Sequence, residues 1–335
     1  MRRLLAVVLL GTMLLVSGCT GGKEPARPTT PAEYRAQLKL ATMTASDHIY
    51  NQGARRFAEL IKERTGGRIE ITVYPEGQLG KGERELLEAV QQGTIDLYLG
   101  SSAPVAGFSP SIMALDLPFL FRDYQHVDKV LDGAIGRKLL DELEKAGFKG
   151  LAFWENGFRN LTNSRRPVRT PEDVKGIKIR TMENPVHIAA WKAAGANPQP
   201  MAWGEVFGAL QQGVIDAQEN PVAVIHSHKL NEVQKYLSLT RHIYAAAPLI
   251  MSLKRWQEMP QADQELFLKT ALEVAAYERS LGRDSEERML QELEQRGMQV
   301  IREVDTAAWQ KAMQPVYDEH GKQFKETIDA IVNTR

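Results

Sequence analysis

The sequence predicts an α/β protein built as two lobes around a ligand cleft. Three observations lead there. Strand-like segments alternate with amphipathic helical ones from Leu38 onward, a helix–glycine–strand unit recurs 120 positions later, and a helical stretch from Gln261 to about Arg296 is long enough to brace both lobes.

The chain opens with Met1-Arg2-Arg3, an apolar run from Leu4 to Val16 interrupted by Gly11-Thr12, and then Ser17-Gly18-Cys19. A basic start before a short apolar run is the pattern of a signal peptide. The run is shorter than the roughly 20 residues that a permanent membrane span needs. Val16-Ser17-Gly18-Cys19 resembles a bacterial lipobox, so residues 1–18 are expected to be removed and Cys19 to carry a lipid. Cys19 is the only cysteine, which excludes an internal disulfide and a thiol nucleophile. Residues 19–35, with Gly21, Gly22, Pro25, Pro28 and Pro31, read as a flexible linker. Removing residues 1–18 takes away Arg2 and Arg3, leaving 40 of the 42 basic residues against 42 acidic ones. No basic stripe remains to neutralise phosphates, which argues against a nucleic-acid partner. About 300 residues follow, enough for two lobes of ordinary size.

Each element has its own signal. Leu38–Met43 reads as a strand, Asp47–Arg64 as a helix, and Arg68–Tyr74 alternates apolar with polar until Pro75 stops it. Gly77–Gly82 leads into a helix over Glu83–Gln92, which Gly93 is placed to cap before a strand over Thr94–Leu99. This β-α-β-α-β order predicts a largely parallel sheet. The segment from Glu85 to Asp96 is echoed from Glu205 to Asp216, with Gln91-Gln92-Gly93 against Gln211-Gln212-Gly213 and Ile95-Asp96 against Ile215-Asp216. Two related lobes explain the echo; coincidence is the alternative, because a helix ending in Gly before a strand is common in α/β folds.

Further along, Phe148–Trp154 reads as a strand, Pro171–Lys175 as a helical turn, Ile177–Thr181 as a strand and Pro185–Ala194 as a helix. Strands over Asn197–Pro200 and Val214–Ala217 flank a helix from Trp203 to Gln212. A polar segment runs to about Tyr236, and a strand is expected near Ala247–Leu253. The long helix then spans around 50 Å at 1.5 Å per residue, with Gly282 a candidate break. A strand near Met298–Val304 and a helix from Thr306 finish the chain.

Motifs of catalysis were sought and not found: no Gly-x-Ser-x-Gly elbow, Walker loop, His-Glu-x-x-His or dinucleotide fingerprint occurs. Gly80-Lys81-Gly82-Glu83 lacks the third glycine of a phosphate loop and reads as a turn. His226-Ser227-His228 has no third metal ligand at suitable spacing, and the acids from Asp284 to Glu294 read as a solvated helix face. What stands out is a set of polar residues at expected strand ends: Asn156 and Arg159 after Trp154, Arg180 at the end of Ile177–Thr181, and Asn220 after Ala217. Ligands of open α/β sheets sit beyond the carboxyl ends of strands. Two arginines and an asparagine there describe an anion pocket, since a guanidinium binds a carboxylate through two parallel hydrogen bonds and keeps its charge. A surface salt bridge is the alternative for either arginine taken alone.

At these residues the chain resembles the solute-binding subunits of tripartite ATP-independent periplasmic (TRAP) transporters, the DctP family. The likeness runs from about Leu38 to about Tyr317. It is carried by Gly67-Arg68-Ile69, Tyr74-Pro75, Gln78-Leu79-Gly80, Gly93-Thr94-Ile95-Asp96, Asn156-Gly157-Phe158-Arg159, Gly176-Ile177-Lys178-Ile179-Arg180, Pro200-Met201-Ala202-Trp203 and Glu219-Asn220-Pro221, in that order and spacing.

The resemblance implies a type II periplasmic-binding-protein fold, with hinge strands and the long helix crossing both lobes. The implied division is 36–156 plus 246–285 for one lobe and 157–245 plus 286–335 for the other. It implies an exported receptor, not an enzyme, that needs no cofactor or metal and passes a small organic acid to integral membrane subunits. Arg180 takes the place of the arginine that clamps the ligand carboxylate, Arg159 and Asn220 help to hold the anion, and Trp203 lines the pocket; Asn156, from its strand-end position, is a further candidate ligand-binding residue. From the first lobe, His48, Glu83 and Ser101 are the candidates that read the rest of the ligand. Both His48 and Glu83 have competing readings at helix N-termini. A Glu83 facing the cleft would accept hydroxyl hydrogen bonds and repel a second carboxylate, favouring a sugar acid such as a uronate or aldonate. The alternatives are a C4-dicarboxylate or 2-oxo acid receptor, the binding protein of an ATP-driven importer or sensor, and a secreted α/β enzyme acting on acidic sugars.

Overall fold

The computed structural model describes residues 31–335. The expected signal peptide, Cys19 and most of the linker fall on residues 1–30, outside the described residues. The end of that linker, Pro31–Glu33, is a short 3-10 turn held by Arg68, which donates to the carbonyls of Pro31 and Tyr34.

Two α/β halves share one sheet. The first contains β1 (Ala36–Ala41), α1 (Ile49–Arg64), β2 (Ile69–Tyr74), α2 (Glu83–Gln92), β3 (Leu97–Leu99) and the short α3 (Ser102–Val105), with β1 lying parallel between β2 and β3. Helices α4 (Tyr124–Leu131) and α5 (Ala134–Glu142) lead into β4 (Phe148–Asn163). The second half repeats the plan: β5 (Lys178–Thr181), α6 (Pro185–Ala193), β6 (Asn197–Pro200), α7 (Trp203–Gln211) and β7 (Ala217–Asn220), with β5 lying parallel between β6 and β7. Then follow α8 (Val222–Ser227), β8 (Tyr236–Ser252), α9 (Leu253–Glu258), α10 (Gln261–Gln295), β9 (Gln299–Ile301) and α11 (Thr306–Ala312). The sheet order β2-β1-β3-β8-β4-β7-β5-β6 is nearly symmetric about the β8–β4 pair, with β9 off this path beside β8. This is the two-lobed architecture that the alternation and the echo predict.

The echo has a structural basis. Helices α2 and α7 run into Gly93 at φ +80° and Gly213 at φ +70°, left-handed conformations that glycine enters without a Cβ penalty. Three residues on, Asp96 accepts from the Lys39 amide of β1 at 2.8 Å, and Asp216 accepts from the Lys178 amide of β5 at 3.0 Å. The same carboxylate therefore ties the same pair of parallel strands in each half, which coincidence does not explain.

Strands β4 and β8 differ from expectation. Each was expected as about seven residues, and they are 16 and 17 residues long, antiparallel, and run through both halves. Their polar interiors disguise them: Glu155, Asn156, Arg159 and Asn160 interrupt any apolar pattern, yet all of β4 except Lys149 is buried. Register shifts at Glu155/Gly157 and Arg159/Leu161 bend the pair where it leaves the first half, and Gly157 has φ +113°. Alternation splits the core between the sheet faces, Phe153 and Tyr98 packing on one, Trp154, Leu97 and Leu99 on the other.

Smaller differences have local causes. Strand β7 starts at Ala217 rather than Val214, because the amides of Val214 and Ile215 first close onto the Ala209 carbonyl at the end of α7. The polar stretch before Tyr236 contains α8. Helix α10 passes Gly282 unbroken: a Cβ there would lie 3.0 Å from Ile49 Cδ1, so the glycine permits close passage against α1. The helix packs on α1, β4 and α8, and Arg279 and Arg283 pair with Asp128 of α4 while Arg283 also holds Glu155 of β4. After α11 the expected single helix is broken at Pro315, which has no amide to donate, and a π turn over Tyr317–Gly321 precedes the final helix Lys325–Asn333.

Candidate solute-binding cleft

Between the halves lies a small, partly enclosed cavity. Its second-half wall carries Arg180, Trp203 and Asn220, with Asn156 and Arg159 contributed by β4; its first-half wall carries Glu83, Ser101, Tyr50 and Tyr98. Arg159 and Asn156 reach it from the middle of a long strand rather than from the loop expected after Trp154. They face inward because β4 is bent at its bulges between the two halves.

Arg180, the third residue of β5, is 2% exposed. Its Nε donates to the Met201 carbonyl at 2.9 Å and its guanidinium lies 5.5 Å from the centre of the Trp203 ring. Burial pushes its pKa down to about 10, against the pull of Glu83, so it stays charged at neutral pH. Among the described residues no carboxylate forms an ion pair with it. A buried guanidinium without a counterion is costly, and an anion entering the cavity removes that cost.

Arg159 is handled differently. Glu219, which precedes Asn220 on β7, accepts from its Nε at 2.5 Å and from its Nη2 at 2.9 Å, and Nη1 is left without a partner among the described residues. Behind Glu219 stand His242, at 3.1 Å, and His187, at 3.7 Å, which also lies 3.6 Å from Asp116 of the first half. Burial opposes ionisation of Glu219, but Arg159 and the two imidazoles hold its pKa well below the usual carboxylate value. Burial likewise opposes charge on His187, and Asp116 and Glu219 outweigh it, raising its pKa. His242 is pushed down by burial, and its Nδ1 pairs with Thr240 at 2.8 Å. Asn220 is oriented by Gln218, whose Oε1 accepts from Asn220 Nδ2 at 2.6 Å. Sequence reasoning identified Arg159 and Asn220 and missed Glu219 and His242 behind them.

The family model described as bacterial extracellular solute-binding protein, family 7 (DctP) matches residues 40–323. A solute-binding protein of Verminephrobacter eiseniae is 43% identical over 301 residues, covering 90% of both chains. The 2,3-diketo-L-gulonate-binding periplasmic protein YiaO of Escherichia coli is 40% identical over 272 residues, 81% of this chain and 82% of its own. Among solved structures, a TRAP periplasmic solute binding protein from Polaromonas sp. JS666 bound to D-erythronate is 43% identical, superposes with a TM-score of 0.88, and covers 90% of this chain and 99% of its own. The chain belongs to the DctP family of TRAP solute-binding proteins.

In this TRAP receptor the cleft is closed. At its mouth a Cβ on Gly204 would lie 3.1 Å from the Lys81 carbonyl, and one on Gly82 would lie 3.4 Å from Ala202 Cβ, so the loops of the two halves touch. His228 of the second half accepts from the Ala45 amide of the first at 3.1 Å and packs edge-on against Trp203 at 4.9 Å. The other histidine of the His226-Ser227-His228 segment, His226, meets Glu292 of α10 at 2.7 Å. Among the described residues no cluster of three or more His, Cys, Asp or Glu is suited to a metal, and no helix is long and apolar enough to cross a membrane.

His48 differs from expectation. It does not line the cavity; its Nδ1 accepts from the Tyr50 amide at the start of α1, the capping role that competed with ligand contact. Its ring instead supports Tyr50, edge-on at 4.7 Å. Glu83 does both things at once, standing first in α2 and lining the cavity. A larger open groove between α6 and the C-terminal turns holds no buried charged side chain to fix a small anion.

Proposed function

We propose that this receptor captures a small hydroxylated monocarboxylate, of the sugar-acid class, and delivers it unchanged to the integral membrane subunits of a TRAP transporter. The observation that carries this reading is the buried Arg180 guanidinium, which has no counterion among the described residues. Arg180 pairs with the ligand carboxylate, Arg159 Nη1, Asn156 and Asn220 complete the anion site, and Trp203 covers it. Glu83 and Ser101 face the remainder of the ligand. The D-erythronate complex of a 43% identical relative and the name of the diketogulonate-binding one support a hydroxylated acid.

The same reading places the hinge in β4 and β8, with the lobes dividing near Glu155–Gly157 and Ala245–Ala246, close to the 156/157 and 245/246 boundaries expected from sequence. It makes Cys19 a lipid anchor that holds the mature chain at a membrane surface outside the cytoplasm. No chemistry is performed on the ligand. A thermal-shift screen of sugar acids, C4-dicarboxylates, 2-oxo acids and neutral sugars tests it, because a ligand at a hundred times its dissociation constant adds about 2.7 kcal/mol of stability. Sugar acids are expected to raise the melting temperature most; a response to a neutral sugar alone refutes the assignment of Arg180.

A further inference from the structure

The first-half wall of the cavity holds two phenols that no reading of the sequence singled out. Tyr50, second residue of α1, and Tyr98, the middle of β3, are both buried and both line the cavity. Neither hydroxyl has a hydrogen-bond partner among the described residues, and the Ser101 hydroxyl beside them is also unpartnered. Buried hydroxyls normally find partners, and phenylalanine would fill the same space without one.

Both rings are held in place. Tyr50 is braced by the edge of His48, which also takes its amide hydrogen. Tyr98 folds back over the bare α-carbon of Gly100: a Cβ there would stand 2.0 Å from the Tyr98 oxygen and 2.4 Å from its Cζ. Any side chain at 100 therefore expels this phenol from its position. Burial keeps both phenols protonated, raising Tyr50 and Tyr98 well above the ordinary tyrosine value, with the negative charge of Glu83 adding to the effect on each. The wall thus combines groups that donate or accept, the phenols and Ser101, with Glu83, whose ionised carboxylate only accepts.

We infer that Tyr50 and Tyr98, together with Glu83, are specificity-determining residues that read hydroxyl groups at the end of the ligand away from its carboxylate. A ligand hydroxyl donates to Glu83 while accepting from a phenol, so one group satisfies both partners. A second carboxylate has no hydrogen to give Glu83 and meets its charge; a bare alkyl end leaves the phenols unpaired. Sites built to hydrogen-bond a hydroxyl reject analogues lacking it far more strongly than apolar pockets reject a size change. The selected class is therefore a polyhydroxy monocarboxylate, in preference to a dicarboxylate or a simple fatty acid of equal length. This inference rests on Arg180 as the carboxylate partner.

The test is calorimetric titration of the mature chain with D-erythronate, D-galactonate, D-galacturonate, succinate and butyrate, repeated for Tyr50→Phe, Tyr98→Phe, Gly100→Ala and Arg180→Met. The wild type is expected to bind one of the three polyhydroxy acids more tightly than succinate or butyrate. Each Tyr→Phe variant is expected to lose about tenfold to a hundredfold in affinity for that acid and to change little toward butyrate, with the unliganded melting temperature kept or raised. Gly100→Ala is expected to mimic Tyr98→Phe. A preference of the wild type for succinate, or Tyr→Phe losses that are equal for hydroxylated and unhydroxylated acids, overturns the inference and leaves the carboxylate reading standing. Arg180→Met binding as wild type, or no acid binding at all, overturns both.

Discussion

Replacing Arg180 with methionine separates a residue kept for binding from one kept for stability, because the two roles predict opposite signs. A carboxylate bound through two charge-assisted hydrogen bonds gains about 1.5–3 kcal/mol from each. Losing both costs about 3–6 kcal/mol, or roughly a hundredfold to ten-thousandfold in Kd. In the empty protein the guanidinium is a burden: burial lowers its pKa to about 10, a displacement from 12.5 that corresponds to roughly 3 kcal/mol against the charged form. Methionine fills similar space without the charge and gives up one neutral-acceptor bond, from Nε to Met201 at 2.9 Å, at about 1 kcal/mol. The unliganded variant is therefore expected to melt at or above the wild-type temperature while calorimetry shows binding reduced at least a hundredfold. A variant that melts well below wild type and still binds acid within tenfold refutes this account, since Arg180 would then be structural.

Three further outcomes follow from the neighbouring geometry. Glu219→Gln leaves Arg159 buried without its counterion, so about 3–5 kcal/mol of stability is expected to disappear in denaturant titrations, and binding should weaken through misplacement of Nη1. His228 is held down to about 4 by burial, where its neutral ring accepts from Ala45 across the cleft. A depressed imidazole contributes fully above its ordinary 6.5 and loses that contribution as pH falls toward 4. Opening frees the ring, so closure and affinity should weaken by up to about 2 kcal/mol at pH 5 relative to pH 7.5. Affinities at the two pH values in His228→Gln should differ less than in wild type; an identical pH dependence sinks the latch. Gly53→Ala, ordinarily helpful in a helix by about 1 kcal/mol, places a Cβ 2.8 Å from Trp154 and 3.0 Å from Glu278 where α1 meets α10. A net loss of about 1–3 kcal/mol is expected in thermal melts, and an unchanged melting temperature would show that α1 has room to shift.

Local pattern made the two halves legible. Pro75, Gly93 and Gly213 mark where elements stop, and the repeat that ends in Asp96 and Asp216 marks the two lobes. What stayed hidden was the joint between them. Strand β4 is buried on both faces and carries Glu155, Asn156, Arg159 and Asn160, so neither alternation nor an apolar run marks it. Those residues are tolerable only because partners arrive from far along the chain: Arg283 for Glu155 and Glu219 for Arg159. A period-based reading stops such a strand at its first polar cluster. The long helix was legible, and the harmlessness of Gly282 was not, since that depends on the approach of Ile49.

The site divides along the same line. Arg180 and Asn220 were recognisable from their positions at strand ends, and Trp203 from its motif. Glu219, Tyr50 and Tyr98 were not, because each has an ordinary local explanation and gains meaning only from what it faces. One signal was present: Gln218-Glu219-Asn220, three consecutive polar residues in a strand, all buried, is a conflict between local chemistry and position of the kind that marks functional sites. Summing charge shows why that conflict is useful. Glu219 neutralises Arg159, so the second-half wall presents a single uncompensated cation, Arg180, while the opposite wall presents Glu83. A cavity positive at one end and negative at the other suits a guest with one carboxylate and a hydroxylated tail. It disfavours a guest charged at both ends, because the Glu83 carboxylate, which attracts the Arg180 guanidinium without forming an ion pair with it, repels a second carboxylate.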